Sequence, residues 1–187
     1  MALPTNWFAE QITNKNFLSP IGFLFLLDKA KNCSFLCQKA TIPTFRINDI
    51  DIPTRGLVPI PLESTANYED LTIEFIVDED LRNYMEIHNW MRAMGTPQDY
   101  GERDDWNRTY RLKGSNMDSK VSDATLQVLN NNNIANFDVV FKSVFPVELS
   151  ALPFDVTQTD NNYFTAMATF RYILYEVRDP SSGRLRR

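Results

Sequence analysis

The stretch NYEDLTIEFIVDEDLRNYMEIHNWMRAMG, residues 67–95, contains two successive hydrophobic patterns that decide the fold. Apolar residues occupy every second position from Leu71 to Phe75 and continue to Val77, which is typical of a strand with one buried face. The apolar spacing then changes to three or four residues, which predicts a helix over residues 79–94. Asp78 stands at the position of an N-cap, and Gly95 stands where a helix commonly stops.

The segments on both sides of this centre predict mostly strands. Upstream, residues 17–27 are apolar enough for a strand buried on both faces, and residues 33–43 predict a second strand that pairs with the first as a hairpin. Downstream, alternation over residues 124–128 and 137–141 predicts a hairpin, and residues 163–177 predict a long final strand. The sequence therefore predicts a mainly β protein, an antiparallel β-sandwich or barrel with one packed α-helix and a long loop arm.

Four segments do not fit this regular core over residues 17–177. We interpret residues 1–16 as an N-terminal arm, 44–66 as a Pro-rich extended arm, 96–120 as a long loop and 178–187 as a flexible basic tail. Apolar residues on the two arms would be unusual on free solvent loops. They either fold back on their own core or contact another copy of the chain. The candidate inter-subunit contacts are Trp7, Phe8, Leu57, Val58, Ile60 and Leu62.

Charge is distributed unevenly along the 187 residues, whose formal net charge is −5. Residues 49–105 contain 14 Asp or Glu and 4 Lys or Arg, whereas the last ten residues contain four Arg and one Asp. An acidic protein is a poor candidate for non-specific DNA binding, which normally needs a basic surface. The uneven charge is either ordinary solvated surface or a sign that opposite faces meet neighbouring copies.

The sequence contains no recognisable catalytic or metal-binding motif, so we expect no enzyme and no cofactor. Cys33 and Cys37 would lie about 13 Å apart on one strand, which is too far for a disulfide. Together with His88, they leave a zinc site one ligand short. We expect His88 to pack on the helix surface, because no nucleophile or carboxylate motif accompanies it.

The first residues show neither a basic start nor a continuous apolar run, and residues 21–27 are too short to cross a bilayer. We therefore expect a protein that is cytosolic when made and has no contact with a membrane.

The order of these features resembles the tail tube proteins of contractile-tailed, T4-like bacteriophages. The strand that runs into the acidic start of a helix at residues 67–95 is the first similarity, and FLCQKATIP (residues 35–43) looks like the end of the family's second strand. The family's C-terminal pattern matches positions that follow residue 140. These matching positions are Pro146, Leu149, Asp155, Asn162 and Phe164. The resemblance covers residues 17–177, and this chain departs from it in its longer 96–120 segment and its basic tail.

The resemblance implies a structural virion protein of the phage tail, synthesised in the cytoplasm of a bacterial host, that assembles as stacked homo-hexameric rings. The implied partners are other copies, the tail sheath protein, baseplate or initiator proteins, and DNA that passes through without specific binding. Glu74, on the polar side of its strand, is a candidate lumen-facing residue, although it could equally lie on the outside. Two related roles remain open: a tube initiator or baseplate tube protein, and the inner tube of a contractile injection (type VI-like) system. A ligand-binding barrel is the alternative from a different class.

Overall fold

The computed structural model describes residues 16–53, 57–96, 98–110, 120–157 and 163–186, and describes the backbone alone over residues 48–53 and 57–65. Within these ranges the strands are β1 (Phe23–Leu27), β2 (Cys37–Ala40), β3 (Phe45–Pro53), β4 (Leu57–Tyr68), β5 (Leu71–Ile76), β6 (Ser122–Leu129), β7 (Ala135–Leu149), β8 (Thr165–Arg171) and β9 (Leu174–Arg178). The helices are α1 (Lys31–Phe35), α2 (Arg82–Gly95) and α3 (Gly101–Tyr110).

Seven strands form one antiparallel sheet in the order β1-β6-β7-β8-β5-β2, with β9 paired to β7 beside this path. The sheet has two halves, because the first part of β7 pairs with β6 and β9 and its last part pairs with β8. We call the half made of β1, β6, β9 and the start of β7 sheet A, and the half made of β2, β5, β8 and the end of β7 sheet B. The mainly β, antiparallel prediction is confirmed.

The passage of β7 from sheet A to sheet B occurs at Ser143. There the register with β6 shifts by one residue, and Ser143 adopts φ 56°, which is left-handed backbone. Asp123 stabilises this bulge: its carboxylate accepts a hydrogen bond from Ser143 N at 3.1 Å and lies 3.0 Å from Lys142 Nζ. A bulge of this kind bends a strand and lets it change sheet.

The core lies between the two halves and is closed on one side by α2. Trp90 of α2 is fully buried, and its indole Nε1 donates to Lys120 O at 2.8 Å, just before β6 begins. Its ring lies 6.2 Å from that of Phe170 on β8. The buried residues of β5 alternate as the sequence predicted, with Leu71, Ile73 and Phe75 facing this core.

The predicted helix over 79–94 is shifted, since α2 begins at Arg82 and ends at Gly95. Residues 79 and 80 form a turn and Leu81 adopts φ 58°, which interrupts the helical path. Asp78 nevertheless reaches the helix, because its carboxylate accepts from Asn83 N at 3.3 Å. The buried Asn83 side chain completes this junction by donating to Ile76 O at 2.6 Å and accepting from Tyr84 N at 2.8 Å.

The prediction of a single helix is wrong, because the described ranges contain three. α3 lies inside the predicted 96–120 loop; Asp99 Oδ1 accepts from Gly101 N at 2.7 Å, and Trp106 stacks on Trp90 with ring centres 6.3 Å apart. α1 occupies the first part of the predicted 33–43 strand, so only Cys37–Ala40 is extended.

The predicted hairpin of residues 17–27 with 33–43 is also wrong. β1 pairs with β6, and β2 pairs with β5, because α1 separates the two strands. The first strand is not buried on both faces either: Leu24 and Leu26 are each 53% exposed. The hairpin predicted over residues 124–141 is confirmed by the β6–β7 pairing.

The C-terminal residues depart from prediction in two ways. The predicted strand over 163–177 is broken after Arg171, where Ile173 N donates to Lys142 O at 3.0 Å, and continues as β9 on the other half of the sheet. The tail predicted to be flexible makes a turn through residue 186. Gly183 N donates to Asp179 O at 2.8 Å, and Arg178 forms a bridge with Leu185.

Candidate assembly interface

The 44–66 segment lies in a hairpin that forms a sheet of its own. β3 and β4 pair antiparallel from Phe45↔Tyr68 to Pro53↔Leu57, and this two-stranded sheet is separate from the main one. Pro59 and Pro61 stand in this hairpin opposite Asp51 and Asp49. Prolines are accommodated here because both strands are edges, whose outer side needs no donor.

The base of this hairpin is fixed to the domain by aromatic rings. Tyr68 lies 5.1 Å from Phe45 across the hairpin, and 5.9 Å and 5.4 Å from Tyr172 and Tyr175 of the main domain, measured between ring centres. Phe141, fully buried in the core, lies 5.1 Å from Tyr172. We call Phe45, Tyr68, Tyr172 and Tyr175 the aromatic root, and it sets the direction in which the hairpin leaves the domain.

Two ion pairs and a hydrogen bond also hold the aromatic root in position. Arg46 and Glu69 form an ion pair at 2.7 Å, and Arg171 and Asp70 form another at 3.2 Å. The Tyr172 hydroxyl donates to Glu69 O at 2.9 Å. Burial, followed by the neighbouring Tyr175, raises the pKa of Tyr172 well above its ordinary value, so this hydroxyl remains a donor.

The six predicted inter-subunit contact residues lie on two separate segments of the chain. Trp7 and Phe8 lie outside the described residues. Leu57, Val58, Ile60 and Leu62 all belong to β4, the second strand of the hairpin. Backbone pairing places Val58 opposite Ile52 and Ile60 opposite Ile50.

Glu74 lies on β5 with its side chain directed away from the core, since its neighbours Ile73 and Phe75 are fully buried. It stands opposite Lys39 on β2 and opposite Met167 on β8. Its carboxylate is 3.9 Å from Lys39 Nζ, a partly exposed ion pair. The outer face of sheet B at this point therefore holds a neutralised pair beside an exposed methionine.

Sequence reasoning missed an exposed aromatic pair in the connector between β7 and β8. Phe154 and Phe164 lie 5.1 Å apart, 80% and 37% exposed, and Val156 beside them is fully exposed. Phe17, Ile21 and Ile134 form further apolar surface near the start of β1 and the β6–β7 turn, at 62% exposure or more. The signal was available, since each of these residues is apolar within a segment that is otherwise polar or Pro-containing.

Chemically reactive groups are sparse in the part of the chain that the structure describes. Burial raises the pKa of Cys33, with Cys37 and Glu86 adding to the effect, and burial raises the pKa of Cys37 to about 11. No group of three or more His, Cys, Asp and Glu in the described ranges could hold a metal ion. Nor is any helix there long and apolar enough to span a bilayer.

A domain with a separately anchored hairpin and several exposed apolar surfaces has the features of a subunit that assembles with other copies. Comparison with known families agrees: a family model described as phage tail tube protein matches residues 5–178. The chain belongs to the phage tail tube protein family, and its role is that of a tube subunit. No curated protein sequence matches it.

Solved structures share the fold at low sequence identity. The anti-feeding prophage cap, a tube-terminating cap, matches with TM-score 0.56 and 11% identity over 93% of this chain and 99% of that chain. The PVC sheath–tube complex of an extracellular contractile injection system in the extended state matches with TM-score 0.55 and 13% identity over 88% and 93%. The anti-feeding prophage baseplate matches with TM-score 0.52 and 12% identity over 84% and 91%.

Proposed function

We propose that this tube subunit assembles as six-membered rings, and that the rings stack into a hollow tube through which the phage genome passes. The observation that carries the proposal is the β3–β4 hairpin, which forms its own sheet and is anchored at the aromatic root. A head-to-tail assembly needs two different complementary surfaces on each subunit. The hairpin is one such surface, projected in a fixed direction.

In this proposal the hairpin contacts the next ring, with Leu57, Val58, Ile60 and Leu62 as the apolar contacts. The terminal residues Trp7 and Phe8 contact a neighbouring copy. Burial of apolar surface between copies supplies the driving force for stacking. The outer edges of β3 and β4 carry backbone groups with no strand partner. A long hairpin with such exposed edges risks non-specific pairing with other chains, and a defined contact with a neighbouring copy removes that risk.

Glu74 is proposed to face the lumen. The outer face of sheet B around it carries the Lys39–Glu74 pair beside Met167, and a surface whose charges are paired holds DNA weakly. A channel wall of this kind lets DNA pass without adhesion. The protein would then occupy the virion tail, with the tail sheath outside it and baseplate or initiator proteins at its end.

Electron microscopy of the purified full-length chain tests the proposal. We expect uniform hollow tubes at high protein concentration, with six-fold symmetric end views. Monodisperse monomers at all concentrations, also in the presence of a tail initiator complex, would contradict it. The number of copies per virion separates a tube subunit, present in many copies, from an initiator, present in six.

A further inference from the structure

An acidic cavity of about 420 Å³ lies between α2 and α3 and is lined by residues of both helices. Its lining includes Arg92 from α2 and Glu102, Asp105, Trp106 and Tyr110 from α3. Two carboxylates and one guanidinium give the lining an excess of negative charge. We refer to it below as the acidic cavity.

One carboxylate oxygen of the acidic cavity lacks a partner. Glu102 Oε1 accepts from Arg92 Nη2, and Arg92 Nη2 also donates to Gln98 Oε1 at 3.1 Å. Glu102 Oε2 is buried, yet no hydrogen-bond donor reaches it among the described residues. An unsatisfied buried carboxylate oxygen is costly, so turning the Glu102 side chain toward a second cation at the cavity would be favourable.

The wall beside Glu102 suits a planar cation. The rings of Trp106 and Tyr110 lie 4.2 Å apart, and Trp106 is fixed from behind by stacking on Trp90. Asp105 is 80% exposed at the rim, 3.7 Å from Arg108 Nη1, and can turn toward an incoming charge. A guanidinium can stack on an aromatic face while pairing with a carboxylate, which an ammonium does less well.

The chain itself presents a suitable arginine in its C-terminal turn. Arg178 pairs with Glu176, and Arg186 pairs with Asp179 at 3.0 Å. Arg184 closes the same turn opposite Asp179, where its carbonyl accepts from Asp179 N at 2.9 Å, and it is exposed. Within the described ranges no carboxylate lies at salt-bridge distance from the Arg184 guanidinium.

The two features lie at opposite ends of sheet A. The C-terminal turn is beside the start of β7. Arg178 on β9 stands opposite Asp138 on β7 in the strand register, and Arg186 Nη2 donates a hydrogen bond to Asn136 Oδ1. The acidic cavity is beside the start of β6, because Tyr110 on its wall also lines a second cavity together with Val121 and Ser122. The intervening strand spans about 23 Å at ~3.3 Å per residue, so Arg184 cannot enter the acidic cavity of its own chain.

We propose that Arg184 of one copy inserts into the acidic cavity of a neighbouring copy, where it pairs with Glu102 and Asp105 beside the rings of Trp106 and Tyr110. This contact rests on the proposed function, because stacked head-to-tail copies bring opposite ends of the subunit together. It gives the basic tail of the chain a role: the C-terminal turn of each copy meets the net negative lining of the acidic cavity in the next.

Charge reversal tests the contact in the full-length protein. We expect Asp105→Arg and Arg184→Glu each to raise the protein concentration at which tubes form by about tenfold, the equivalent of one lost ion pair of about 1.4 kcal/mol. The double variant D105R/R184E restores an attractive pair and is expected to recover most of the wild-type assembly. Asp104→Arg, an exposed reversal on α3 outside the cavity lining, is the matched control and is expected to assemble like the wild type.

Thermal unfolding of the unassembled chain shows whether each variant folds, and cross-linking adds a second readout. In tubes of Arg184→Lys, a carbodiimide should join the introduced amine to the carboxylate at position 102 or 105 of another copy. Tubes that form normally in both single variants, or a folded double variant that fails to recover, would overturn the contact alone. Absence of tubes from the wild-type chain would instead overturn the proposed function, and the contact with it.

Discussion

Asn83 is fully buried, yet its side-chain amide has partners on both sides. It donates to Ile76 O at 2.6 Å and accepts from Tyr84 N at 2.8 Å, which joins the end of β5 to the start of α2. Asn83→Leu would leave the Ile76 carbonyl and the Tyr84 amide without these partners inside the protein. We expect the free energy of unfolding to fall by about 2–4 kcal/mol, measured by urea denaturation of the unassembled chain.

Asn89→Leu on the exposed side of the same helix is the control for this substitution. It makes the same chemical change where water can replace any lost hydrogen bond, so we expect a change within about 0.5 kcal/mol. Equal losses from the two variants would show that the buried amide contributes nothing specific. The sequence alone could not identify Asn83, because its partners are backbone groups and an asparagine near a helix start is ordinarily solvated.

The two cysteine thiols should react slowly in the folded protein. Burial raises the pKa of Cys37 from 9.0 to about 11, so little of the reactive thiolate is present near neutral pH. We expect its alkylation rate by iodoacetamide to keep rising up to about pH 11, whereas the urea-unfolded chain levels off near pH 9. Peptide mapping by mass spectrometry follows Cys37 and the fully buried Cys33 separately.

The raised pKa of Cys37 also makes the free energy of unfolding depend on pH. An acid whose pKa is higher in the folded state stays protonated there while the unfolded chain loses its proton. The folded protein is therefore destabilised as the pH rises from 9 to about 11, and the contribution is fully present below pH 9. A Cys37→Ser variant should lose part of this alkaline dependence, and an unchanged unfolding profile between pH 8 and 11 would contradict the assignment.

At the scale of single elements, prediction succeeded where the determining contacts are local. β5 was predictable because its alternation is a property of seven consecutive residues, and α2 because its apolar stripe repeats over three turns. α3 was missed, because Trp106 and Tyr110 are nearly alone among polar residues and their partner Trp90 belongs to another helix. The pairing of β1 was missed for the same reason, since its partner β6 lies about 100 residues away.

The aromatic root gives the β3–β4 hairpin its direction, so loosening it should affect assembly more than folding. Tyr68→Ala removes ring contacts to Phe45, Tyr172 and Tyr175. We expect the unassembled chain to lose about 1–3 kcal/mol of stability and the concentration needed for tubes to rise at least tenfold. Sedimentation of assembled tubes measures this concentration.

Tyr68→Phe keeps the ring and is the matched control, which we expect to assemble like the wild type. A second control is Tyr100→Ala, because Tyr100 is 78% exposed and lies away from the hairpin. If Tyr68→Ala chains remain folded and form tubes at the wild-type concentration, the hairpin does not depend on the aromatic root for its role.

Across the whole molecule, the acidic block of residues 49–105 is divided between different surfaces rather than gathered on one. Glu74 on sheet B pairs with Lys39, Glu69 and Asp70 near the aromatic root pair with Arg46 and Arg171, and Glu102 lies in the acidic cavity. A linear charge count could show the imbalance but not this division, because it depends on which strands become neighbours. Each surface therefore needs its own test.

Glu74→Lys tests whether the outer face of sheet B lines the channel. The substitution places two lysines opposite each other on β2 and β5, and in a ring of identical subunits the added positive charge is repeated around the bore. Since DNA phosphates are attracted to such a surface, we expect tubes to assemble normally and genome ejection to slow several-fold, with a smaller effect at high salt. Time-resolved fluorescence of DNA released from virions that carry the variant measures the rate.

Glu176→Lys is the matched control for this reversal. Glu176 lies on β9 of sheet A and pairs with Arg178, and its side chain is 28% exposed against 29% for Glu74. If sheet B faces the lumen, only the Glu74 variant slows ejection, because the Glu176 variant changes charge outside the bore. Failure of the Glu74→Lys chain to assemble would place this residue at a subunit contact, and ejection at the wild-type rate from intact tails would place it on the outer surface. Either result would contradict the lumen assignment while leaving the tube role intact.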